Sequence, residues 1–196
     1  MNVEKKLKIV RSPSLELSFT NCVIFNHSEF DKNIEFVNVE HKENKNYVFK
    51  CIFSDEVKFG EIGYNLPMRK WTECELDETV IVKPLKSKQL KNISTIKFDV
   101  GYLLQNRKYC EKFNEVDLSK QVLYCFNRHP FRVSQTIGME FIKNKPLLKL
   151  TVRKIEFCDS VGARDFNKHV GIIDKNTKVQ LQSTEQNCLK LYVDSD

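Results

Sequence analysis

The residues best suited to binding chemistry are two adjacent cations beside the only tryptophan. The segment LPMRKW places Arg69 and Lys70 between a proline and Trp71, and it predicts a turn that presents both basic side chains. Trp71 would then stack on the cations or anchor the turn. A solvated turn with a buried tryptophan is the structural alternative, and the spacing alone favours it.

Two further groups of cations stand at predicted element boundaries. Arg107 and Lys108 follow the predicted strand KFDVGYLLQ, and Arg11 precedes the predicted turn SPS. Guanidinium and ammonium groups bind carboxylates and phosphates. Spacing along the chain does not establish whether these three groups converge.

Catalytic motifs are absent from the sequence. It contains no Walker A loop, GxGxxG fingerprint, HExxH helix, GxSxG elbow or EF-hand loop. Cys125 and His129 have the spacing of a thiolate–imidazole pair on a helix, but Cys125 falls on the predicted apolar face, which favours core packing. The sequence therefore predicts no catalytic residue, cofactor or metal in this chain.

The seven cysteines are an odd number and are scattered singly, unlike a disulfide framework. No CxxC occurs and the four histidines are not paired at metal-ligand spacing, so the sequence does not predict a zinc site. We expect free core thiols in a reducing compartment.

Composition excludes several classes of protein. With 196 residues, 41% hydrophobic and 30% charged, the chain is long and apolar enough for one large or two small folded domains. No apolar run is long enough to span a membrane, and MNVEKKLKIV lacks the apolar region of a signal peptide. We therefore expect an unexported, cytoplasmic protein without direct membrane insertion.

The net charge of +6 is unevenly distributed. Residues 1–90 contain 14 basic and 14 acidic side chains, whereas residues 91–196 contain 18 and 12. The excess favours an acidic partner such as nucleic acid, an anionic membrane or an acidic protein, although a mildly basic globule without a specific partner is the common alternative.

The sequence of the first half of the chain predicts short strands with frequent turns. Apolar residues alternate in LELSF and YVFKCIF, and TVIVKPL is a short apolar run that ends near a proline. This pattern predicts a small barrel or sandwich. The polar stretch LKSKQLKN then marks a domain boundary.

The second half combines strands with a helix. An amphipathic helix is predicted through Leu118, with Asn114 or Asp117 as its N-cap. Strands are predicted for FRVSQTIGMEFI, PLLKLTVRKIEFC and LKLYV. The alternation of apolar residues in PLLKLTVRKIEFC changes phase, which predicts a bulge near Arg153-Lys154. HVGIIDKNTKVQLQ predicts a hairpin.

Three stretches together resemble the amino-terminal domain of the vesicle-fusing ATPases, the N-ethylmaleimide-sensitive factor (NSF) family. They are RSPSLELSFTNCVIFN, GEIGYNLPMRKW and VGIIDKNTKVQLQSTEQNCLKLY. The resemblance implies a mixed β and α+β fold of two lobes, a double-psi β-barrel followed by a small α/β roll. It places the barrel at residues 1–86, a linker at 87–91 and the roll at 92–196.

The resemblance also implies a role. This domain would dock a homohexameric ATPase onto the adaptor soluble NSF attachment protein (SNAP) bound to a SNARE complex, peripheral to membranes, for ATP-driven SNARE disassembly. ATP and Mg²⁺ would bind in ATPase domains that this chain lacks, since it stops about where the first would begin. The family's adaptor-binding cations match Arg11, Arg69, Lys70, Arg107 and Lys108.

Two other functions remain open at this point. A segregase-type AAA protein shares the architecture and binds ubiquitin-fold or peptide cofactors in an apolar cleft between lobes. A nucleic-acid-binding barrel is suggested by the basic second half, but its aromatic residues would lie on an exposed basic sheet face. Here the aromatics alternate along strands in a pattern that suits burial, so we expect no nucleic-acid partner.

Overall fold

The computed structural model describes residues 3–42, 45–104, 111–143, 145–158, 169–184 and 189–194. Contacts between Cα atoms divide the chain into two compact units, residues 1–90 with 162–170 and residues 91–161 with 171–196. Each unit has its own hydrophobic core.

The first unit is a closed six-stranded barrel with two short helices. Its strands are β1 (Lys5–Arg11), β2 (Val23–Phe25), β3 (Phe36–His41), β4 (Lys45–Phe53), β5 (Glu61–Tyr64) and β6 (Thr79–Leu85), and its helices are α1 (Leu15–Phe19) and α2 (Leu66–Thr72). The order around the barrel is β1-β5-β2-β4-β3-β6, and β6 pairs with β1 to close it. The β1–β5 and β2–β4 pairs are parallel and the others are antiparallel.

Alternating apolar residues fill this barrel. Ile9, Val23, Phe25, Val37 and Ile62 are fully buried in its core. Closure leaves no free sheet edge, so every strand finds both neighbours within the unit.

The second unit is a mixed sheet packed on one helix. Its elements are β7 (Lys91–Tyr102), β8 (Lys112–Asn114), α3 (Glu115–Cys125), β9 (Pro130–Arg132), β10 (Thr136–Met139), β11 (Leu148–Phe157), β12 (Val170–Ile172), β13 (Lys178–Ser183) and β14 (Lys190–Tyr192). The order is β10-β11-β7-β12-β9, β13 also pairs with β7, and β14 pairs with β8. The buried face of α3 carries Leu118 and Val122, which join the core against Phe98, Phe126 and Phe131.

The predicted fold class, a barrel followed by a smaller α/β part, is confirmed. The structure is mostly β, and its closed six-stranded barrel is consistent with a double-psi barrel. The N-cap of α3 is Asn114, whose side chain accepts from the N–H groups of Val116 and Asp117. The predicted bulge is also present, as a register shift between Val152 and Lys154 where β11 pairs with β7.

Two segments predicted as a strand and a turn are helices. LELSF forms α1 because the Ser14 hydroxyl accepts from Leu17 N at 3.2 Å and caps the helix. LPMRKW lies in α2, where Pro67 occupies the first turn and its missing N–H costs no hydrogen bond.

Two strand predictions in the second unit are also corrected. FRVSQTIGMEFI is not one strand, since β9 and β10 are separated by a turn in which Ser134 has a φ of 72°. β12 and β13 do not form a hairpin, because both run parallel to β7. Gly171 allows β12 its close approach, since a Cβ there would lie 2.6 Å from Ile93 Cγ1.

Candidate protein-docking surface

Asn65 fixes the start of α2 at one end of the barrel. Its Oδ1 accepts from Met68 N at 2.9 Å, which caps the helix. Its Nδ2 donates to Ser18 O at 2.9 Å and to Asn21 Oδ1 at 3.1 Å. Because Asn65 is buried, these bonds tie α2 firmly to the end of α1.

The inner face of α2 packs on the barrel through Trp71 and Met68. The Trp71 ring meets Tyr47 edge-on at 5.0 Å and Phe49 at 5.9 Å between centroids. Met68 is buried in the same core. Trp71 therefore anchors the helix in aromatic contacts, and no stacking of a cation on its ring is found among the described residues.

Arg69 and Lys70 occupy the last turn of α2, where the carbonyl end of the helix dipole favours cations. Lys70 is exposed and Arg69 is half-buried. Within the described ranges neither forms an ion pair, and the buried Nε of Arg69 has no hydrogen-bond acceptor. The helix thus presents two cations whose charge is not neutralised by neighbouring carboxylates.

Arg11 lies at the same end of the barrel. It is the last residue of β1 and stands opposite Tyr64, the residue before the α2 cap, in the parallel β1–β5 pair. Ser12 N donates to Tyr64 O at 2.9 Å, which holds the two strand ends together. Arg11 is exposed and forms no ion pair within the described part of the chain.

Two leucines add an apolar component that the sequence did not predict. Leu15 opens α1 and is 75% exposed, and Leu66 opens α2 and is 42% exposed. α1 is the next element after β1, and α2 is the next element after β5. Because LELSF was predicted as a half-buried strand, the exposure of Leu15 was not expected. Recognising Ser14 as a helix N-cap would have predicted a short helix and an exposed Leu15.

The other predicted site residues, Arg107 and Lys108, lie outside the described residues. The structure brings Arg11 to the barrel end at which α2 begins, and α2 carries Arg69 and Lys70. We call Arg11, Leu15, Leu66, Arg69 and Lys70 the α1/α2 surface.

The cysteines only partly match the expected core thiols. Burial is the main cause that raises the pKa of Cys22 to about 11 and of Cys51 to about 12. Cys125 and Cys158 are exposed, so the core prediction is wrong for both. The Cys125 sulfur accepts from Gln121 Nε2 at 3.4 Å, and no thiolate–imidazole pair is found for it among the described residues.

One group of described residues could hold a metal ion. The donor atoms of His41, Cys74 and Glu78 all lie within 4.8 Å of one another. These residues belong to β3, the segment after α2 and the approach to β6. Their separation along the chain explains why metal-ligand spacing gave no signal.

A surface pocket of about 480 Å³ lies elsewhere on the barrel unit, beside β3 and β6. Its lining includes Asn38, Lys83 and Ser87 but no described histidine, cysteine or aspartate. Lys83 is already paired with Glu4 at 3.0 Å and with Glu40 at 3.6 Å. This lining offers no nucleophile–base pair.

No protein-family model matches this chain. It is 27% identical over 161 residues to a vesicle-fusing ATPase from Caenorhabditis elegans, covering 80% of this chain and 20% of that protein. It is 22% identical over 185 residues to the vesicular-fusion protein SEC18 of Saccharomyces cerevisiae, covering 89% of this chain and 24% of that protein.

A third relative, the vesicular-fusion protein sec18 of Schizosaccharomyces pombe, is 23% identical over 195 residues, covering 94% of this chain and 24% of that protein. The resemblance to the vesicle-fusing ATPases is confirmed. The chain spans about a fifth to a quarter of the length of these vesicle-fusing relatives, which is consistent with one domain of a larger ATPase. Among the residues described, no helix is long and apolar enough to cross a membrane.

Proposed function

We propose that this chain is the amino-terminal adaptor-docking domain of a hexameric vesicle-fusing ATPase, and that it binds SNAP on SNARE complexes. The observation that carries the proposal is the α1/α2 surface. Arg11 lies at the barrel end where α2 begins, the last turn of α2 carries Arg69 and Lys70, and none of these cations is paired with a described carboxylate.

Carboxylates of an acidic adaptor are the matching chemistry. A guanidinium binds a carboxylate through two parallel hydrogen bonds, and the half-buried Arg69 side chain forms no ion pair within the described chain. Leu15 and Leu66 offer apolar area beside the cations. We include Arg107 and Lys108 in the proposed surface because they match adaptor-binding cations in the family resemblance.

Single contacts of this kind are weak. An exposed ion pair contributes about 0–1 kcal/mol and is screened by salt. Useful affinity therefore requires several domains of a hexamer to engage several adaptors at once, which multiplies binding through effective concentration. ATP hydrolysis with Mg²⁺ belongs, in this proposal, to other domains of the parent protein, which acts in the cytoplasm on membrane-bound SNAP–SNARE complexes.

The test measures binding of the 196-residue chain to an immobilised SNAP–SNARE complex at low and physiological ionic strength. Wild-type binding should fall with salt, and the Arg69→Glu, Lys70→Glu double variant should lose most of it. Lys175→Glu, Lys178→Glu is the matched control, because it makes the same net charge change at two exposed lysines of the second unit. It should bind like the wild type.

A further variant distinguishes the effect of the Arg69 charge on binding from the effect of its side-chain geometry. Arg69→Lys keeps the positive charge but removes the planar guanidinium fork, so binding should fall about two- to tenfold. Circular dichroism confirms that each variant is folded. Absence of wild-type binding at low salt with multivalent SNAP would contradict the proposal and favour the segregase-type alternative.

A further inference from the structure

We propose that His41, Cys74 and Glu78 form a binding site for Zn²⁺ on the barrel unit. His41 ends β3, Cys74 follows α2, and Glu78 directly precedes β6. The imidazole nitrogen, the thiol sulfur and a carboxylate oxygen lie within 4.8 Å of one another. Three residues from separate parts of the barrel unit thus place three metal-binding atoms close together.

The His41 imidazole is the observation that points to a ligand. Its side chain is 5% exposed, and its Nε2 lies 3.0 Å from Glu78 Oε2. This contact is not aligned as a hydrogen bond, and Nε2 has no hydrogen-bond partner in the described chain. A buried nitrogen without a hydrogen-bond partner is costly, and a metal ion between His41 Nε2 and Glu78 Oε2 would supply that partner.

The spacing of these atoms suits tetrahedral zinc. Zn–N and Zn–O bonds of about 2.0–2.1 Å place two ligand atoms about 3.3 Å apart at the tetrahedral angle. The 3.0 Å separation of Nε2 and Oε2 needs only a small adjustment. The Cys74 sulfur lies within 4.8 Å of both atoms, and a Zn–S bond of about 2.3 Å would bring it to about 3.6 Å from each. A nitrogen, sulfur and oxygen donor set is typical of zinc, and a water molecule would complete four-coordination.

Cys74 is held in place by the end of α2. The C-cap residue Glu73 has a φ of 57°, which turns the chain, and Cys74 N donates to Arg69 O at 3.1 Å. Cys74 is 4% exposed, and within the described chain its sulfur has only a 3.6 Å hydrogen-bond contact, with Thr72 O. The sulfur is therefore fixed in position without a strong competing partner.

Glu78 is oriented by groups outside the cluster. Glu75 N donates to its Oε2 at 3.0 Å, and the Lys42 ammonium pairs with its Oε1. Outer partners of this kind fix a ligating carboxylate and tune its affinity. Because the Lys42 side chain is 68% exposed, its ammonium can remain on Oε1 while Oε2 faces the cluster.

The experiment uses the reduced 196-residue chain and Co²⁺ as a spectroscopic probe for zinc. One equivalent of Co²⁺ should produce a thiolate-to-cobalt charge-transfer band and visible bands of tetrahedral intensity, and Zn²⁺ should remove both. Cys74→Ser should abolish the charge-transfer band. His41→Gln and Glu78→Gln should each weaken Co²⁺ binding by at least about 100-fold, since even outer-shell changes cost about 10- to 100-fold.

Matched controls identify the site. Cys125→Ser with Cys158→Ser removes the exposed thiols, and Asp77→Asn removes a neighbouring exposed carboxylate, so these variants should keep the wild-type spectrum. Retention of the thiolate band in Cys74→Ser would overturn the proposal. So would the absence of any thiolate band when wild-type protein is given excess Co²⁺.

A second measurement does not depend on the variants folding. Zn²⁺ should raise the unfolding temperature of the wild-type chain, because a ligand that binds the folded state stabilises it. Native mass spectrometry should show one bound zinc per chain, and the Cys125→Ser, Cys158→Ser variant should behave identically. No thermal shift and no bound zinc in the wild type would refute the site.

Discussion

Burial and exposure of individual thiols set their chemistry in this chain. The Cys22 and Cys51 thiols have pKa values raised to about 11 and about 12, chiefly because burial disfavours the thiolate. At pH 8 the reactive thiolate is therefore only about one part in 1,000 to 10,000 of these groups. Cys158 is exposed, and burial raises the pKa of the Cys125 thiol even though that residue is exposed.

We predict a clear order of alkylation by N-ethylmaleimide at pH 8. Cys158 should react first and Cys125 next, whereas Cys22 and Cys51 should stay unmodified until the chain unfolds. Peptide mapping by mass spectrometry after timed quenching measures each site. In urea at the same pH all four should react, which controls for intrinsic reactivity, and native labelling of Cys51 as fast as that of Cys158 would contradict the burial.

Residue chemistry was the most predictable part of the candidate surface. The pairing of Arg69 and Lys70 beside Trp71 was visible in the sequence because cations next to a lone tryptophan are distinctive. The exposure of Leu15 was not, because L-x-L-x-F suits a half-buried strand as well as a short helix. Only the contacts of Ser14 distinguish the two.

At the scale of elements, α2 depends on one buried amide. Asn65 supplies the helix cap and also two donor contacts to the end of α1. A cap alone is worth about 1 kcal/mol, and unsatisfied buried partners cost about 1–3 kcal/mol more. Asn65 therefore determines both the stability of the barrel unit and the placement of Arg69 and Lys70.

We predict that Asn65→Ala lowers the free energy of unfolding by about 2–3 kcal/mol. It should also weaken SNAP binding, because α2 loses its attachment to α1. Asn114→Ala is the matched control, since Asn114 caps α3 and donates to Asp194 Oδ2 in exposed positions, and its loss should cost about 1 kcal/mol. Urea denaturation measures both, and equal costs would show that the buried network adds nothing.

Some elements could be predicted because their signals are local. The bulge in β11 followed from a change of phase in the alternation, which only an extra residue explains. The Asp174–Thr177 turn was also locally encoded, since Asn176 N donates to Asp174 Oδ1 at 2.7 Å. The direction of the next strand was not, because the Thr177 hydroxyl donates to Ile93 O and keeps the chain along β7.

At the scale of the whole molecule, the choice of a barrel over a sandwich came from the family resemblance and not from the strand patterns. Six short strands with alternating residues are compatible with a sandwich or a barrel, and closure depends on the long-range pairing of β1 with β6. The location of charge is likewise a property of the whole chain. Residues 1–90, which hold the α1/α2 surface, have 14 basic and 14 acidic side chains, whereas residues 91–196 hold the net +6.

Because the net positive charge lies in the second half and the α1/α2 surface in the first, specific docking can be distinguished from attraction by net charge. A flexible polyanion such as single-stranded oligothymidine should bind weakly, mainly to the basic second half, and should dissociate as salt rises. SNAP should instead depend on the barrel end, despite its neutral surroundings. We therefore predict that the two double variants affect different ligands. Lys175→Glu, Lys178→Glu should weaken oligothymidine binding and leave SNAP binding unchanged. Arg69→Glu, Lys70→Glu should weaken SNAP binding and leave oligothymidine binding unchanged.

Fluorescence anisotropy with labelled oligothymidine, beside SNAP–SNARE binding at the same ionic strength, measures both partners. The two double variants change the net charge equally, from +6 to +2, so charge alone predicts the same loss for each partner. Equal losses would mean that the cations act only through the overall field. Opposite losses would require the geometry that β1 and α2 impose on Arg11, Arg69 and Lys70, because a uniform field cannot distinguish pairs of lysines and arginines by position.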